Sequence, residues 1–159
     1  MVRLGLISDS HGRSVWVKRL LEVAKRERYD AVFHMGDGAG DARWLEARLD
    51  CPIYFVSGNC DMWSGGEDET VRSLGGHTLL AVHGHWYDVK YGLERLSYHA
   101  EERGADIALY GHTHDPAAYY VGPVLMINPG ALMDGRYAEL TLDGKRILPV
   151  LKSLKEETL

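Results

Sequence analysis

Seven side chains of the kind that hold divalent cations stand in five short segments of this chain: Asp9-Ser10-His11, Gly36-Asp37, Gly58-Asn59, His83-Gly84-His85 and Gly111-His112-Thr113-His114. The seven are Asp9, His11, Asp37, Asn59, His83, His112 and His114. Asp, Asn and neutral His supply oxygen and nitrogen donors suited to divalent ions, and none of the five segments depends on sulfur. One segment alone would carry little weight. Asp9 could merely end a strand, Asn59 and Asp61 are ordinary turn residues, and a histidine such as His83 can be a satisfied core residue. Five together in 159 residues point to one shared site, most simply a pair of ions.

The elements needed to bring those segments together are legible from the hydrophobic pattern. Val2 to Ser8 reads as a buried strand stopped by Asp-Ser-His-Gly. From Ser14 to Arg28, residues Val17, Leu20, Leu21 and Ala24 fall on one helical face, with Lys18, Arg19, Glu22 and Lys25 around the other. Ala31 to Met35 is a second strand. Asp41 is the expected cap of a short helix running to Leu49, and Ile53 to Ser57 is a third strand. This βαβαβ order predicts right-handed crossovers and a parallel sheet. Ligands of such sheets sit beyond the carboxyl ends of the strands, where Asp9, Asp37 and Asn59 fall.

The second half is richer in hairpins. Thr70–Leu74 and Thr78–Val82 flank Gly75-Gly76, and a helix from about Tyr91 to Arg103 ends at Gly104. Asp106 to Tyr110 is a strand that delivers Gly111-His112-Thr113-His114. Strands at 118–121 and 124–127 follow, then a hairpin of 137–142 and 146–151 around Asp143-Gly144, with Pro149 marking an edge strand. The expected fold is α/β, two sheets packed face to face with helices outside, as a single domain over residues 1–159. Residues 62–69 are the expected mobile loop.

Composition excludes several classes. Hydrophobic residues make up 45% and charged residues 26%, the balance of a globule with a real core. The formal net charge is −5, with no long basic block, which argues against a stable grip on nucleic acid or an anionic membrane. No run reaches the roughly 20 apolar residues of a membrane span, and the start lacks the pattern of a secretory signal. Cys51 and Cys60 match no zinc-ribbon or Cys-x-x-Cys spacing, so reduced thiols and a cytoplasmic location are expected. Gly36-Asp37-Gly38-Ala39-Gly40 lacks the Gly-x-Gly-x-x-Gly spacing of a dinucleotide fingerprint.

The ordered set Asp-x-His, Gly-Asp, Gly-Asn, His-Gly, Gly-His-x-His resembles the calcineurin-like metallophosphoesterases. With Gly58-Asn59-Cys60-Asp61 at the third motif and no room for a cap domain, it is most similar to the small bacterial and archaeal phosphodiesterases. The likeness runs from Asp9 to about Gly130 and includes Asn128-Pro129-Gly130. It implies a four-layer αββα sandwich of two mixed sheets and two divalent ions. Manganese is the expected metal, with iron, nickel, cobalt and zinc as alternatives. By resemblance, Asp9, His11 and His114 hold the first ion, Asn59, His83 and His112 the second, and Asp37 bridges them. A bridging ligand must be an anion with two oxygens, a role that fits Asp37 better than Asn59.

The implied reaction is hydrolysis of a small phosphate ester, most simply a diester. Two ions share a water, lower its pKa and aim it in line at phosphorus. Many relatives carry a histidine after the motif Asn as leaving-group acid; Cys60 stands there instead, and a thiol is a weaker acid at neutral pH. Asn59, Cys60 and His85 are therefore the candidate catalytic residues, with Asp61 as a substitute acid. Weak acid assistance predicts a preference for esters with good leaving groups. His34, His77 and His99 read as structural, Cys51 as a small buried residue, and Arg13 as a solvated charge. Two alternatives remain at this point: a catalytically weak, protein-binding scaffold like the retromer subunit of the same fold, or an enzyme for monoesters or pyrophosphate-linked nucleotides. Trp63 and Trp86 are candidates for a contact between copies of the chain.

Overall fold

The computed structural model describes residues 1–62 and 64–156, so the expectation for Trp63 lies outside the described residues. Two five-stranded mixed sheets stack on one another. The first has the order β10-β9-β1-β2-β3. In it β1 (Val2–Ile7), β2 (Ala31–His34) and β3 (Ile53–Phe55) run parallel, and the C-terminal hairpin of β9 (Arg136–Asp143) and β10 (Arg146–Ser153) returns antiparallel to β1. The second has the order β4-β5-β6-β8-β7. Here β5 (His77–Val82), β6 (Ile107–Leu109) and β8 (Val124–Asn128) are parallel, edged by antiparallel β4 (Glu69–Leu74) and β7 (Ala117–Val121). Pro149 lies in edge strand β10, where its missing N–H costs no ladder bond.

Alternation along the strands builds the layers. Leu4 and Leu6 of β1, Phe33 of β2, Leu79 and Ala81 of β5 and Ile107 and Leu109 of β6 face inward and form the core between the sheets. Their neighbours Ile7, Val32, Leu80 and Ala108 face outward and are covered by helices. Helix α1 (Ser14–Glu27) lays Val17, Leu20, Leu21 and Ala24 on the first sheet, joined by Leu45 of α2 (Ala39–Glu46). Helix α3 (Glu94–Glu102) lays Leu96 and Ala100 on the second. The result is a four-layer αββα sandwich, as the sequence predicts. A fully buried leucine in such a core contributes about 2 kcal/mol.

Two helix boundaries differ from expectation. Helix α2 is capped at Gly38, and Asp41 sits within its first turn, its carboxylate accepting the Gly12 N–H at 2.9 Å. Asp41 is not needed as the cap, because Asp61 already accepts the Gly38 and Ala39 amides. Helix α3 starts at Glu94, since Gly92 at φ 147° lies outside helical space and Tyr91 closes a turn onto Asp88. Within the segment expected to be mobile, two described residues accept hydrogen bonds: the Glu67 carbonyl from the Ser57 amide at 2.8 Å and the Ser64 carbonyl from Arg43 at 2.6 Å.

Candidate metal centre

All five candidate segments follow parallel strands, at the carboxyl ends of β1, β2, β3, β5 and β6. Backbone bonds zip them together. Asp9 N donates to Gly36 O (2.9 Å), His11 N to Asp37 O (3.0 Å), and Gly111 N to His83 O (2.9 Å). The turns are sharp. Among the described residues, seven non-glycine residues have positive φ, and five of these are Asp9, His11, Asp37, His112 and His114. Left-handed backbone at non-glycine residues costs of order 1 kcal/mol each and persists where surrounding structure enforces it, typically at functional sites.

The side chains converge in two overlapping groups. The ligand atoms of Asp9, His11 and His114 lie within 4.8 Å of one another, as do those of Asp9, Asp37 and His83. Asp37 Oδ2 faces His83 Nε2 at 3.3 Å and His11 Nε2 at 3.7 Å, so one carboxylate touches both groups. His83 Nε2 is also 3.0 Å from Asn59 Oδ1 and 3.1 Å from His112 Nδ1. Asp9, His11 and His114 thus form one cluster, Asn59, His83 and His112 lie in mutual contact through His83, and Asp37 approaches both His11 and His83.

The fit to a cation is visible in what lacks a partner. Asp9 Oδ2 accepts the Ser8 hydroxyl (2.6 Å) and the His112 amide (3.1 Å). Asp9 Oδ1 is buried and accepts no hydrogen bond, although His114, His11 and His83 place ring nitrogens 3.2, 3.7 and 4.0 Å away. A buried carboxylate oxygen without a donor costs several kcal/mol unless a positive charge meets it. His83 Nδ1 bonds the Met35 carbonyl at 2.7 Å, and a carbonyl only accepts, so Nδ1 carries a proton and Nε2 is the nitrogen turned inward, where it can take either a proton or a cation. Ligand atoms of Asp9, Asp37, Asn59 and His83 therefore point at common space, the arrangement a divalent ion satisfies.

Electrostatics agree. Burial alone would raise the Asp37 carboxyl, but the hydrogen bond and charge of His83 and the Cys60 amide hold it well below the usual carboxylate range. Burial would lower His83, yet Asp37 and Asp9 outweigh it and push the imidazole up, a proton standing where a cation would. His112 is pushed down by burial and by His83.

Asp61, named as a substitute acid, is engaged by backbone amides. Its carboxylate accepts the amides of Asp37 (2.6 Å), Gly38 (3.2 Å), Ala39 (3.1 Å) and Gly58 (2.9 Å), fixing the second and third segments against the start of α2. Cys60 is exposed at the rim; its amide donates to Asp37 Oδ1 at 2.8 Å. Burial and the Asp37 charge push its thiol up. His85 stands in a short 3-10 turn (His85–Tyr87), its ring 5.4 Å from that of His83 and 6.1 Å from that of His112, and belongs to none of the ligand groups. His77 pairs with Asp106 and His99 with Glu69.

Two residues outside the candidate ligand set complete the support. Asn128 donates from Nδ2 to Gly111 O (3.2 Å) and Thr113 Oγ1 (2.9 Å), fixing the turn between His112 and His114. His34, fully buried, accepts the Gly36 amide at Nδ1 (3.1 Å), so its Nε2–H donates to Ser10 Oγ (2.9 Å). Burial pushes this imidazole down to about 4. The unfolded chain binds that proton near pH 6.5, so stability is lost as pH falls from 6.5 towards 4, by up to ~3 kcal/mol. Gln can make both bonds without titrating. Denaturant unfolding of chelated His34→Gln is expected to show a shallower acid limb than the unsubstituted chain; parallel limbs would refute the assignment.

Comparison with known proteins points the same way. The family model for the calcineurin-like phosphoesterase superfamily domain matches residues 2–143. A probable metallophosphoesterase of Bacillus subtilis, YsnB, is 36% identical over 146 residues, covering 87% of this chain and 83% of its own. A crystal structure of a predicted phosphoesterase from Streptococcus pneumoniae superposes with a TM-score of 0.82 at 32% identity, covering 99% of this chain and 92% of that one. A Vps29 variant from Entamoeba histolytica reaches 0.81 at 20% identity, covering 98% and 94%, a likeness of fold alone. Among the described residues no helix is long and apolar enough to cross a membrane.

Proposed function

The chain belongs to the calcineurin-like phosphoesterase superfamily, and on that premise we propose that it is a metal-dependent phosphodiesterase with a two-ion centre. The observation that carries this reading is the buried, donor-less Asp9 Oδ1 amid three imidazole nitrogens, one Asp37 away from a second group of donors. Asp9, His11 and His114 hold one ion, Asn59, His83 and His112 the other, and Asp37 both. Bound there, two divalent ions supply an activated water and neutralise charge on the non-bridging phosphate oxygens. Manganese is our choice of metal, and the donor set also accommodates iron, nickel, cobalt or zinc.

The protein's own contribution is positional. Asp61 and the Cys60 amide hold Asp37, and Met35 O holds His83, so the ligands need no reorganisation when charge develops. One groove opens on this region. It has a volume of about 290 Å³ and is lined by His11, Asp37, Gly38, Asp41 and Cys60. We assign Asn59 and His85 the role of orienting the phosphate. The Cys60 thiol keeps its proton and is a weak acid, which favours good leaving groups. Free thiols at Cys51 and Cys60 fit a cytoplasmic setting.

Chelated protein reloaded with each candidate metal, and given bis(4-nitrophenyl) phosphate and 4-nitrophenyl phosphate, tests the reading. Manganese is expected to restore hydrolysis, with kcat/KM for the diester higher by about tenfold or more, ~1.4 kcal/mol. Hydrolysis of neither ester with any metal would favour the protein-binding scaffold instead; a monoester preference would favour the phosphomonoesterase.

A further inference from the structure

We propose that Cys60, with His11 and Asp37, forms a second and mutually exclusive cation site that takes thiophilic divalent ions such as zinc or cadmium and thereby inhibits the enzyme. The ligand atoms of His11, Asp37 and Cys60 lie within 4.8 Å of one another, as do those of Asp9, His11 and His114 and those of Asp9, Asp37 and His83. The Cys60 amide is pinned to Asp37 Oδ1 at 2.8 Å, which holds this residue beside the carboxylate. The groove lined by His11, Asp37, Gly38 and Cys60 leaves the outer face of this trio open to water. Three protein ligands of nitrogen, oxygen and sulfur plus one water make a zinc-type tetrahedron, whereas manganese prefers the sulfur-free set.

Exclusivity follows from His11. Its Nε2 faces Asp9 Oδ1 and Asp37 Oδ2, both at 3.7 Å, and a ring nitrogen has one lone pair to give. An ion held with Cys60 takes that lone pair and one Asp37 oxygen away from Asp9 and His114. Coordination displaces the thiol proton to solvent and forms a sulfur–metal bond, with no change of oxidation state. The site itself rests only on the trio; its inhibitory effect rests on the hydrolytic reading above.

The test separates the two. Chelated full-length protein is titrated with cadmium, and the ultraviolet thiolate-to-cadmium absorption is followed in the unsubstituted chain, Cys51→Ser, Cys60→Ser and His11→Gln. The band is expected to saturate at one equivalent in the first two, to vanish in Cys60→Ser, and to need about tenfold more cadmium in His11→Gln. A band that persists in Cys60→Ser, or none in the unsubstituted chain, overturns the site. In manganese-loaded protein, each variant referred to its own rate, Cys60→Ser is expected to need about tenfold more zinc or cadmium for half-inhibition; equal sensitivity overturns the exclusivity. Absence of manganese-dependent hydrolysis would count against the phosphodiesterase reading, while the absorption titration would still decide the site.

Discussion

Replacing Asp37 with asparagine is expected to lower phosphodiester hydrolysis by about 10³-fold or more, ~4 kcal/mol of transition-state stabilisation, while the chelated protein stays folded. Asp37 Oδ1 is committed to the Cys60 amide, which leaves Oδ2 as the oxygen that faces His83 and His11. Asparagine fills the same volume but removes the charge. It must place either its NH2 against the Cys60 N–H or its NH2 among the imidazole nitrogens. Either choice sets donors against donors or a proton-bearing group where a cation belongs, so both metal positions are affected at once. The distinguishing measurement is thermal unfolding with and without manganese. A ligand that binds only the folded state raises the midpoint by mass action. That rise is expected for the unsubstituted chain and absent for Asp37→Asn, with the chelated midpoints close together. An equal manganese-induced rise in both would show that Asp37 does not bridge.

The strands and the donors they deliver were readable because each is encoded locally. A parallel strand buried on both faces leaves a short apolar run, and its end is marked by Gly, Asp, Asn or His, as at Ile7-Ser8-Asp9 and Leu109-Tyr110-Gly111-His112. The αββα layering was legible too, from α1's apolar face and from the two hairpins. What stayed hidden is carried by bonds between distant backbone groups. Asp61 looks like a turn residue and a spare acid, yet its role is set by amides more than 20 positions upstream, and no local signal marks an amide as unpaired. Asp41 fails as a cap for the same reason. His34 gives no sign in sequence that Ser10 and Gly36 enclose it, and the left-handed backbone at Asp9, His11, Asp37, His112 and His114 runs against residue preference. Local rules break where the site is built, because convergence of five loops demands turns that propensity disfavours.

Gly58 and Gly111 show how tightly those loops meet. A Cβ at Gly58 would collide with Asp37 Oδ1, and one at Gly111 with Ser8 Oγ, so only glycine permits the approach. That closeness makes the amides around Asp37 depend on one acceptor. Asp61→Ala is accordingly expected to destabilise the chelated protein by about 3 kcal/mol and to weaken manganese binding by about 10–100-fold. The carboxylate serves four amides and sits at the start of α2, where a negative charge also meets the positive end of the helix. Its removal leaves the Asp37 and Gly58 amides without their acceptor, although the half-exposed position lets water recover part of the loss. Asp61→Asn retains one acceptor oxygen and should fall between, since its amide group must turn a donor towards some of the same N–H groups. Denaturant unfolding measures the first effect and calorimetric manganese titration the second. If Asp61→Ala unfolds with the unsubstituted chain and binds manganese as tightly, Asp37 is positioned by something other than Asp61. A loss of stability with unchanged metal affinity would confine Asp61 to anchoring the helix.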